Sequence, residues 1–302
     1  MRNCCASSRT VQISVFLVSG VLVAGECFSG VPLRDALEIE VSVRQETFLG
    51  GEPVPIRVEI RNRSQVEVEV AANLEPQCLI LRFRVTDPEG ETWIAGPLGV
   101  AEFELERMIL DPGNRLVHTA VLLYGIVDDV QRFLFTDTGK YAVEALYDPE
   151  GSGKPIVSKP VSITIAEAPA ADSEAQNLFV GREQGEFAYY GQTLNQAPLE
   201  KFWRVLQKYP TTRFAPYAAY YLGLHYVNER DNKQGILLLE RVLAEYKDFP
   251  LKAELRYRLA VAYHETGRKA EAKKLLMDLI AKEPSDLFAR RGKRLLRELE
   301  FD

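Results

Sequence analysis

The sequence is poor in the residues that most often carry catalysis or metal binding. Its 302 residues include only three histidines, four cysteines, three methionines and two tryptophans. No CxxC pair is present, and His118, His225 and His264 stand in no metal-ligand or nucleophile motif. No glycine-rich phosphate loop occurs either. We therefore expect no metal, no cofactor and no catalytic residues, and a protein that is not an enzyme.

The one strongly apolar segment, residues 11–23, is too short to span a bilayer comfortably, which takes about 20 residues. Arg2 and Arg9 precede it, and the small residues Ala24 and Gly25 follow it. A basic head, a short apolar segment and a small-residue exit are typical of a secretory signal peptide. The sequence predicts a signal peptide over residues 1–29 and a periplasmic or secreted protein, with an uncleaved anchor as the alternative.

The cysteines fit export but do not define a disulfide framework. Cys4 and Cys5 precede the small-residue exit at Ala24 and Gly25 and would leave with the signal, so Cys27 and Cys78 are the two that can pair in an oxidising compartment. The sequence leaves open whether they pair or Cys78 stays a buried thiol. Glu26 stands directly before Cys27, where lipoprotein signals require a small residue, so lipid anchoring at Cys27 is not expected.

Charge divides the chain into two unlike halves. Residues 30–165 carry 13 basic and 22 acidic side chains, whereas residues 178–302 carry 22 basic and 17 acidic ones. The halves are expected to attract each other or to steer different partners. Because the signs are mixed within each half, a nucleic-acid partner is not expected.

Apolar residues alternate with polar ones in the first half, as in half-buried strands. The alternation covers residues 37–43, 56–61, 79–85, 141–147 and 161–165, and turn sequences lie at 50–51, 87–90, 111–114 and 149–151. About seven or eight short strands predict a β-sandwich over residues 30–165. The sequence AEAPAADSEAQ follows, and its composition predicts a linker over residues 166–177.

Residues 137–143, DTGKYAV, resemble the D-x-G-x-Y-x-C corner of immunoglobulin-like folds. The resemblance implies that the Tyr141 hydroxyl bonds back to the chain at the start of a strand. Val143 stands where the cysteine would be. The resemblance therefore implies an immunoglobulin-like sandwich without the inter-sheet disulfide.

The second half repeats one pattern every 37 residues, which predicts stacked helical hairpins over residues 178–302. The matching positions are Pro198, Gly235 and Ala272; Phe202, Leu239 and Leu276; Val205, Val242 and Leu279; and Tyr189, Tyr226 and Tyr263. The first unit departs from the pattern at Gly185 and Glu186, so its first helix is expected to be irregular or a cap. Residues 287–299 are expected to form a closing helix.

These small, large and aromatic residues at fixed offsets resemble the tetratricopeptide repeat. The 37-residue spacing, with helix ends at 208–210 and 245–247, resembles repeats of bacterial periplasmic proteins such as the tol-pal coordinator and the β-barrel assembly lipoproteins. The resemblance covers about residues 180–302. It implies an α-helical tetratricopeptide-repeat solenoid for this half. With the first half, the expected fold is an immunoglobulin-like β-sandwich followed by this solenoid.

In this family, fixed positions of each first helix line the inner, concave surface. An exposed aromatic and aliphatic stripe of this kind is typical of a binding surface. The alternative is that the stripe packs against the sandwich, the linker or a second copy. The predicted partner-binding residues are Tyr217, Tyr220, Leu224, Val227, Tyr257, Val261 and His264.

A basic cluster lies in the expected closing helix. As the outer face of that helix it would be solvated; otherwise it touches an acidic partner, an anionic lipid surface or the acidic sandwich. The residues are Arg290, Arg291, Lys293, Arg294 and Arg297.

Together these features favour a non-enzymatic exported adaptor that binds another cell-envelope protein through the concave face of the repeats. The alternative is a secreted regulatory or inhibitory module. It would act on an envelope protease or glycan enzyme through sandwich loops such as residues 96–103. The sequence leaves the partner, the oligomeric state and any membrane contact open.

Overall fold

The computed structural model describes residues 32–100 and 104–301. The predicted leader over residues 1–29, with Cys27, lies outside the described residues, as does part of the loop at residues 96–103. Cys78 is described and is partly buried.

The first half forms strands wherever the apolar residues alternate. A short helix, α1 (Leu33–Ala36), precedes the strands. The strands are β1 (Leu37–Ser42), β2 (Thr47–Leu49), β3 (Val54–Asn62), β4 (Val68–Ala71), β5 (Leu81–Thr86), β6 (Thr92–Ala95), β7 (Arg107–Leu110), β8 (Arg115–Leu122), β9 (Tyr124–Val127), β10 (Val130–Phe133), β11 (Gly139–Tyr147), β12 (Ile156–Val157) and β13 (Val161–Ala166). The described strands outnumber the predicted seven or eight because several of them are only two to four residues long.

The strands form two main sheets that enclose one core. One sheet has the order β1-β3-β8, and the other has the order β2-β13-β11-β5-β6 with β12 beside β11. Strands β4 and β7 form one additional pair, and β9 and β10 form another. Ile56, Val58 and Ile60 of β3 are fully buried, as are Val85 of β5 and Val143 of β11. The predicted β-sandwich is therefore confirmed.

The tyrosine corner is present as its motif implied. The Tyr141 hydroxyl donates a hydrogen bond to the Asp137 carbonyl oxygen over 2.9 Å. Burial, together with nearby acidic groups, raises the pKa of Tyr141 to about 12. Val143 is fully buried at the position of the absent cysteine. Apolar packing at this position thus takes the place that a disulfide has in antibody domains.

The second half is helical throughout its described length. Its helices are α2 (Ala170–Phe179), α3 (Arg182–Tyr190), α4 (Gln196–Lys208), α5 (Ala215–Asn228), α6 (Asn232–Glu245), α7 (Lys252–Glu265), α8 (Lys269–Lys282) and α9 (Leu287–Phe301). Helices α3 to α8 pair as three hairpins and α9 closes the array, in agreement with the 37-residue pattern. Phe202, Leu239 and Leu276 are fully buried at equivalent positions.

The prediction of a linker over residues 166–177 is wrong from Ala170 onward, because Ala170–Phe179 forms α2. Ala175 and Phe179 are fully buried on one face, four residues apart. The Phe179 ring stacks on Phe202 of α4 with centroids 4.7 Å apart. Composition alone suggested a flexible segment, whereas helix-forming alanines and this i,i+4 apolar pair favour a docked helix.

The first helix of the first unit was expected to be irregular or a cap; of these two alternatives the irregular helix is wrong, because α3 is regular but short. It has 9 residues, whereas α5 has 14. Its Gly185 lies against the ring of Tyr124 in β9, and a Cβ atom on Gly185 would be only 2.2 Å from Tyr124 Cδ2. Gly185, which broke the repeat pattern, therefore lies where the first hairpin contacts the sandwich, and its lack of a side chain leaves room for the Tyr124 ring.

Candidate binding site between the sandwich and the repeats

The two most prominent residues of the predicted stripe are buried. Tyr217 and Tyr220 are only 4% and 2% exposed. Phe249, in the connection between α6 and α7, packs against both, with ring centroids 5.4 Å and 5.3 Å away. The expectation of an exposed aromatic stripe is therefore wrong at these positions. The helical period places a side chain on the inner face but does not determine what covers that face.

The other predicted stripe residues are half-buried, and none is exposed. Tyr257 packs on Phe288 of α9 with ring centroids 5.7 Å apart. Val227 packs where α5 approaches α6, since a Cβ on Gly235 would be 2.6 Å from Val227 Cγ2. The remaining members of this half-buried group are Leu224, Val261 and His264.

Three of the five basic residues in α9 reach the acidic sandwich. Arg291 forms ion pairs with Glu75 over 2.5 Å and Glu106 over 3.7 Å, and Arg294 pairs with Glu106 over 3.2 Å. Burial opposes ionisation of Glu75, but its contact with Arg291 prevails and lowers the pKa of the carboxyl group. The opposite charges of the two halves therefore meet at their interface.

Of the other three residues of the basic cluster, one contacts the sandwich and two face solvent. Arg290 donates a hydrogen bond to the Arg115 carbonyl oxygen of β8 over 2.8 Å. Lys293 and Arg297 are exposed. The cluster is thus partly an interface with the sandwich and partly the solvated outer face of the closing helix.

Apolar packing joins α9 to the sandwich as well. Leu287, the first residue of α9, is 1% exposed and belongs to the sandwich core. The Val117 amide of β8 donates to the Ser285 carbonyl oxygen over 2.9 Å. Asp286 accepts a hydrogen bond from the Phe288 amide over 2.8 Å, and burial raises the pKa of Asp286 to about 6.

A second polar contact ties the sandwich to the start of α5. Glu52 is 3% exposed and lies 3.0 Å from the Arg213 guanidinium. Burial raises the pKa of Glu52, although Arg213 and the Leu49 amide act against this shift. Arg213 also donates to the Thr47 carbonyl oxygen over 2.7 Å. The interface therefore has polar contacts at α9, which closes the array, and at the start of α5.

One open recess remains beside this contact, and we call it the junction cleft. Its volume is about 460 Å³, and both halves of the molecule line it. Apolar rings form part of its wall, and charged side chains of both signs stand around them, including the acidic Glu52, Glu245 and Asp248. The residues used below are Arg44, Phe48 and Arg57 of the sandwich and Tyr217, Lys247 and Phe249 of the repeats.

A smaller recess of about 280 Å³, the inner cavity, lies between β8 and the inner faces of α5 and α7. Tyr220 and Leu224 of the predicted stripe line it together with His118 of β8. For these two stripe residues, the alternative of packing against the sandwich describes the structure. Burial lowers the pKa of His118 and raises that of Tyr220 well above its usual value.

The sequence did not identify the sandwich residues of either recess. His118 stood in no metal-ligand or nucleophile motif, and Arg44 and Phe48 carried no motif either. For the repeat side of the junction cleft, the usable signal was the segment 247–250, Lys-Asp-Phe-Pro. It places an aromatic residue between a charged turn and a proline after a helix end. Such a segment is a surface connection in which a buried aromatic requires an explanation.

The described ranges contain no group of three or more His, Cys, Asp or Glu side chains arranged to hold a metal ion. In the same ranges, no helix combines the length and apolar character needed to cross a membrane.

Comparison with known proteins supports the helical half. A sequence profile of the tetratricopeptide repeat matches residues 226–295, which cover α6, α7, α8 and most of the closing helix. No curated protein matches the sequence.

Several solved structures are similar to parts of the chain at low identity. A CARDB domain from Pyrococcus furiosus is 11% identical, covers 44% of this chain and 94% of its own, and has a TM-score of 0.24. A β-glucosidase from Erythrobacter marinus is 13% identical over 43% of this chain and 15% of its own, with a TM-score of 0.27. An alkylpurine DNA glycosylase from Pseudomonas fluorescens is 9% identical over 43% and 30%, also with a TM-score of 0.27. The protein is an N-terminal β-sandwich followed by a helical array that matches the tetratricopeptide repeat.

Proposed function

We propose that this chain is a non-enzymatic, exported adaptor that holds another cell-envelope protein by binding one of its segments in the junction cleft. Tetratricopeptide arrays suit this role, since stacked hairpins form extended surfaces for partner binding. The observation that most directly supports this proposal is the cleft itself. It is an open recess of about 460 Å³ beside an inner face that is otherwise occupied by the sandwich.

The cleft is lined by acidic residues as well, but Glu52 is paired with Arg213 and Glu245 with Arg241. Among the cleft residues without an ion pair in the described ranges, the cations Arg44 and Lys247 outnumber the single acid Asp248, which favours an acidic segment with an apolar side chain.

Phe48, Tyr217 and Phe249 offer apolar ring edges in the wall of the cleft. Arg44 and Lys247 are exposed at its rim and have no acidic partner within ion-pair distance in the described part of the chain. Unpaired rim cations attract acidic partners mainly by accelerating association, and an apolar anchor in a recess slows dissociation.

Nearby charges support a positive potential at this rim. Burial is the first cause that lowers the pKa of Lys252; the cations Arg256, Arg44 and Lys247 add to the shift, and Asp248 acts against it. An acidic residue of a partner would relieve this repulsion.

The test is capture of partners from the native envelope fraction with the full chain as bait, followed by mass spectrometry. We expect the charge reversals Arg44→Glu and Lys247→Glu, made together, to reduce capture of the main partner at least about tenfold. Both side chains are exposed, so the fold should be retained. Higher salt should weaken capture by the native chain.

The matched control reverses two exposed lysines elsewhere on the repeats, Lys233→Glu and Lys274→Glu, which gives the same change in net charge. Neither residue lines the cleft. Equal loss of capture in both double variants would mean that overall charge, not the cleft, recruits the partner. Undiminished capture by the cleft variant would reject the cleft as the binding site.

Export is tested separately on protein purified from its native host. The proposal rests on the basic head, apolar segment and small-residue exit in residues 1–29. We expect the mature protein in the envelope fraction, with an intact mass that lacks the leader. Full-length protein confined to the cytoplasmic fraction would contradict export.

A further inference from the structure

The hairpin of β9 and β10 extends the larger sheet beyond β6. Gly96 directly follows β6, and its amide and its carbonyl oxygen each form a 2.9 Å hydrogen bond with the backbone of Ile126 in β9. Strand β10 pairs with the opposite side of β9. In the described ranges no strand pairs with the far side of β10, which is therefore a free edge of this sheet.

The register of the hairpin shows which backbone groups point out of this edge. Gln131 lies directly opposite Ile126. Opposite residues in an antiparallel pair either exchange both backbone hydrogen bonds or direct these groups away from each other. Because Ile126 bonds to Gly96, Gln131 must direct its N–H and C=O away from β9. The described ranges contain no hydrogen-bond partner for either group.

The edge is open to solvent and suits a further strand. Val130, Gln131 and Arg132 are all exposed, Val130 by 58%. Helix α3 packs on the hairpin where Gly185 meets the Tyr124 ring, and it leaves these three residues uncovered. A free edge of this kind, with outward N–H and C=O groups, is a template for pairing with another chain.

The charges along the hairpin favour a second copy of this chain as the additional strand. Asp128 and Asp129 form the turn at one end of β10, whereas Arg132 lies near the other end. An antiparallel strand of the same sequence runs in the opposite direction, so its acidic turn lies beside Arg132. With Gln131 opposite Gln131 of the second copy, Arg132 lies diagonally across from Asp128 of that copy, within reach of a long side chain.

The neighbouring symmetric register is less favourable. It would place Arg132 directly opposite Arg132 of the second copy, and like charges in directly opposite positions are destabilising. The charge pattern therefore selects the register centred on Gln131.

We propose that β10 is a self-association surface through which two copies of this chain pair antiparallel about Gln131 and join their larger sheets. None of the residues of β10 lines the junction cleft, so this inference does not depend on the proposed function. A four-residue strand buries much less area than a stable interface needs, so the dimer should be weak, with a dissociation constant above about 10 μM.

The test is sedimentation velocity of the full chain at concentrations up to about 1 mM, which cover this weak range. We expect a shift from monomer to dimer and no larger species, because pairing about a two-fold axis is closed. Hydrogen exchange of the segment 128–133 should slow as the concentration rises. A chain that stays monomeric throughout, or one that forms open-ended oligomers, would overturn the proposal.

Two kinds of variant test the position and register of the surface. Gln131→Pro removes the outward N–H but no hydrogen bond to β9, and proline is tolerated at such an edge position. We expect it to weaken association about tenfold or more. Asp128→Lys and Arg132→Glu each bring like charges together and should weaken self-association about fivefold.

An equimolar mixture of Asp128→Lys and Arg132→Glu restores opposite charges at both contacts and should associate as the native chain does. The mixture is needed because Arg132 also lies 5.7 Å from the centroid of the Trp93 ring, a contact within one chain that Arg132→Glu removes. Recovery in the mixture shows that the charge effect acts between chains.

The matched control is Arg297→Glu, which makes the same charge change at an exposed residue of α9 and should associate as the native chain does. Circular dichroism establishes that each variant is folded. Undiminished association of folded Gln131→Pro, or a mixture that associates no better than its two components, would contradict pairing at β10. If Gln131→Pro does not fold, the mixture of the two charge variants decides the question.

Discussion

The packing of Leu287 predicts that a residue of the helical half stabilises the sandwich. Leu287 opens α9, yet it is 1% exposed among the core side chains of the sandwich. Replacing a buried leucine by alanine loses the transfer free energy of the removed methyl groups and leaves a cavity, which together cost about 2 to 5 kcal/mol. We therefore expect Leu287→Ala to lower the free energy of unfolding of the sandwich by about 2 to 5 kcal/mol.

The chain has a convenient pair of probes for this measurement. Its two tryptophans are Trp93 in β6 of the sandwich and Trp203 in α4 of the repeats. Guanidinium unfolding of the Trp203→Phe variant follows the sandwich by Trp93 fluorescence, and the Trp93→Phe variant follows the repeats by Trp203. If the interface makes the halves one cooperative unit, Leu287→Ala should shift both transitions together.

The matched control for this experiment is Leu237→Ala, because Leu237 lies on α6 and is 60% exposed. The same substitution there should change the free energy of unfolding by no more than about 0.5 kcal/mol. A Trp93 transition that moves no more in Leu287→Ala than in Leu237→Ala would refute the reasoning. In that case the contact between α9 and the sandwich core contributes no stability.

Three further substitutions test the other interface contacts. Gly185→Ala should lower the unfolding free energy by about 1 to 3 kcal/mol in thermal melts, since its Cβ would lie 2.2 Å from Tyr124 Cδ2. Arg291→Ala should cost about 1 to 2 kcal/mol in denaturant unfolding because it leaves the partly buried Glu75 unpaired. Asp286 has a pKa of about 6 in the folded chain against an ordinary value of 3.8, so the folded state binds the proton more tightly and stability falls as pH rises from about 4 to 6. Asp286→Asn should remove that fall, worth up to about 3 kcal/mol, in unfolding curves measured across this pH range.

Each of these three substitutions has a control that distinguishes the proposed contact from a general effect of mutation. The control for Gly185→Ala is Gly99→Ala, whose added Cβ meets open space and should leave the unfolding free energy nearly unchanged. If Gly99→Ala lowers the unfolding free energy as much as Gly185→Ala does, the contact with Tyr124 is not the cause of the loss. Arg297→Ala alters an exposed residue of the same basic cluster and should have almost no effect. If the native chain and Asp286→Asn show parallel pH profiles, the buried carboxyl of Asp286 does not titrate as described.

Much of the architecture within each half was readable from local pattern. Period-two alternation located the long strands, and the motif around Tyr141 gave a hydrogen bond that the structure contains. The 37-residue register located the hairpins, because Phe202 and its equivalents must be buried wherever two helices of a hairpin meet. These features depend on neighbours within one element or one repeat, and a single sequence carries that information.

The packing between the halves was not readable in this way. An inner-face residue such as Tyr220 has the same helical spacing whether a partner, solvent or its own sandwich lies against it. The opposite net charges of the halves indicated attraction, but not that Arg291 would meet Glu75. Gly185 was visible as a departure from the repeat, yet only the position of Tyr124 explains it. Contacts between elements distant in sequence depend on shape complementarity, which periodicity does not encode.

The covered inner face also restricts how a partner can bind. Separating the sandwich from the array would withdraw Leu287 from the sandwich core and leave Glu52 and Glu75 without their arginines. Losing a buried apolar contact and unpairing buried charges both carry large costs, which a partner would have to offset with its own contacts. Binding at a recess that is already open avoids these costs. For this reason the junction cleft is a better site for a partner segment than the tyrosine stripe beneath the sandwich.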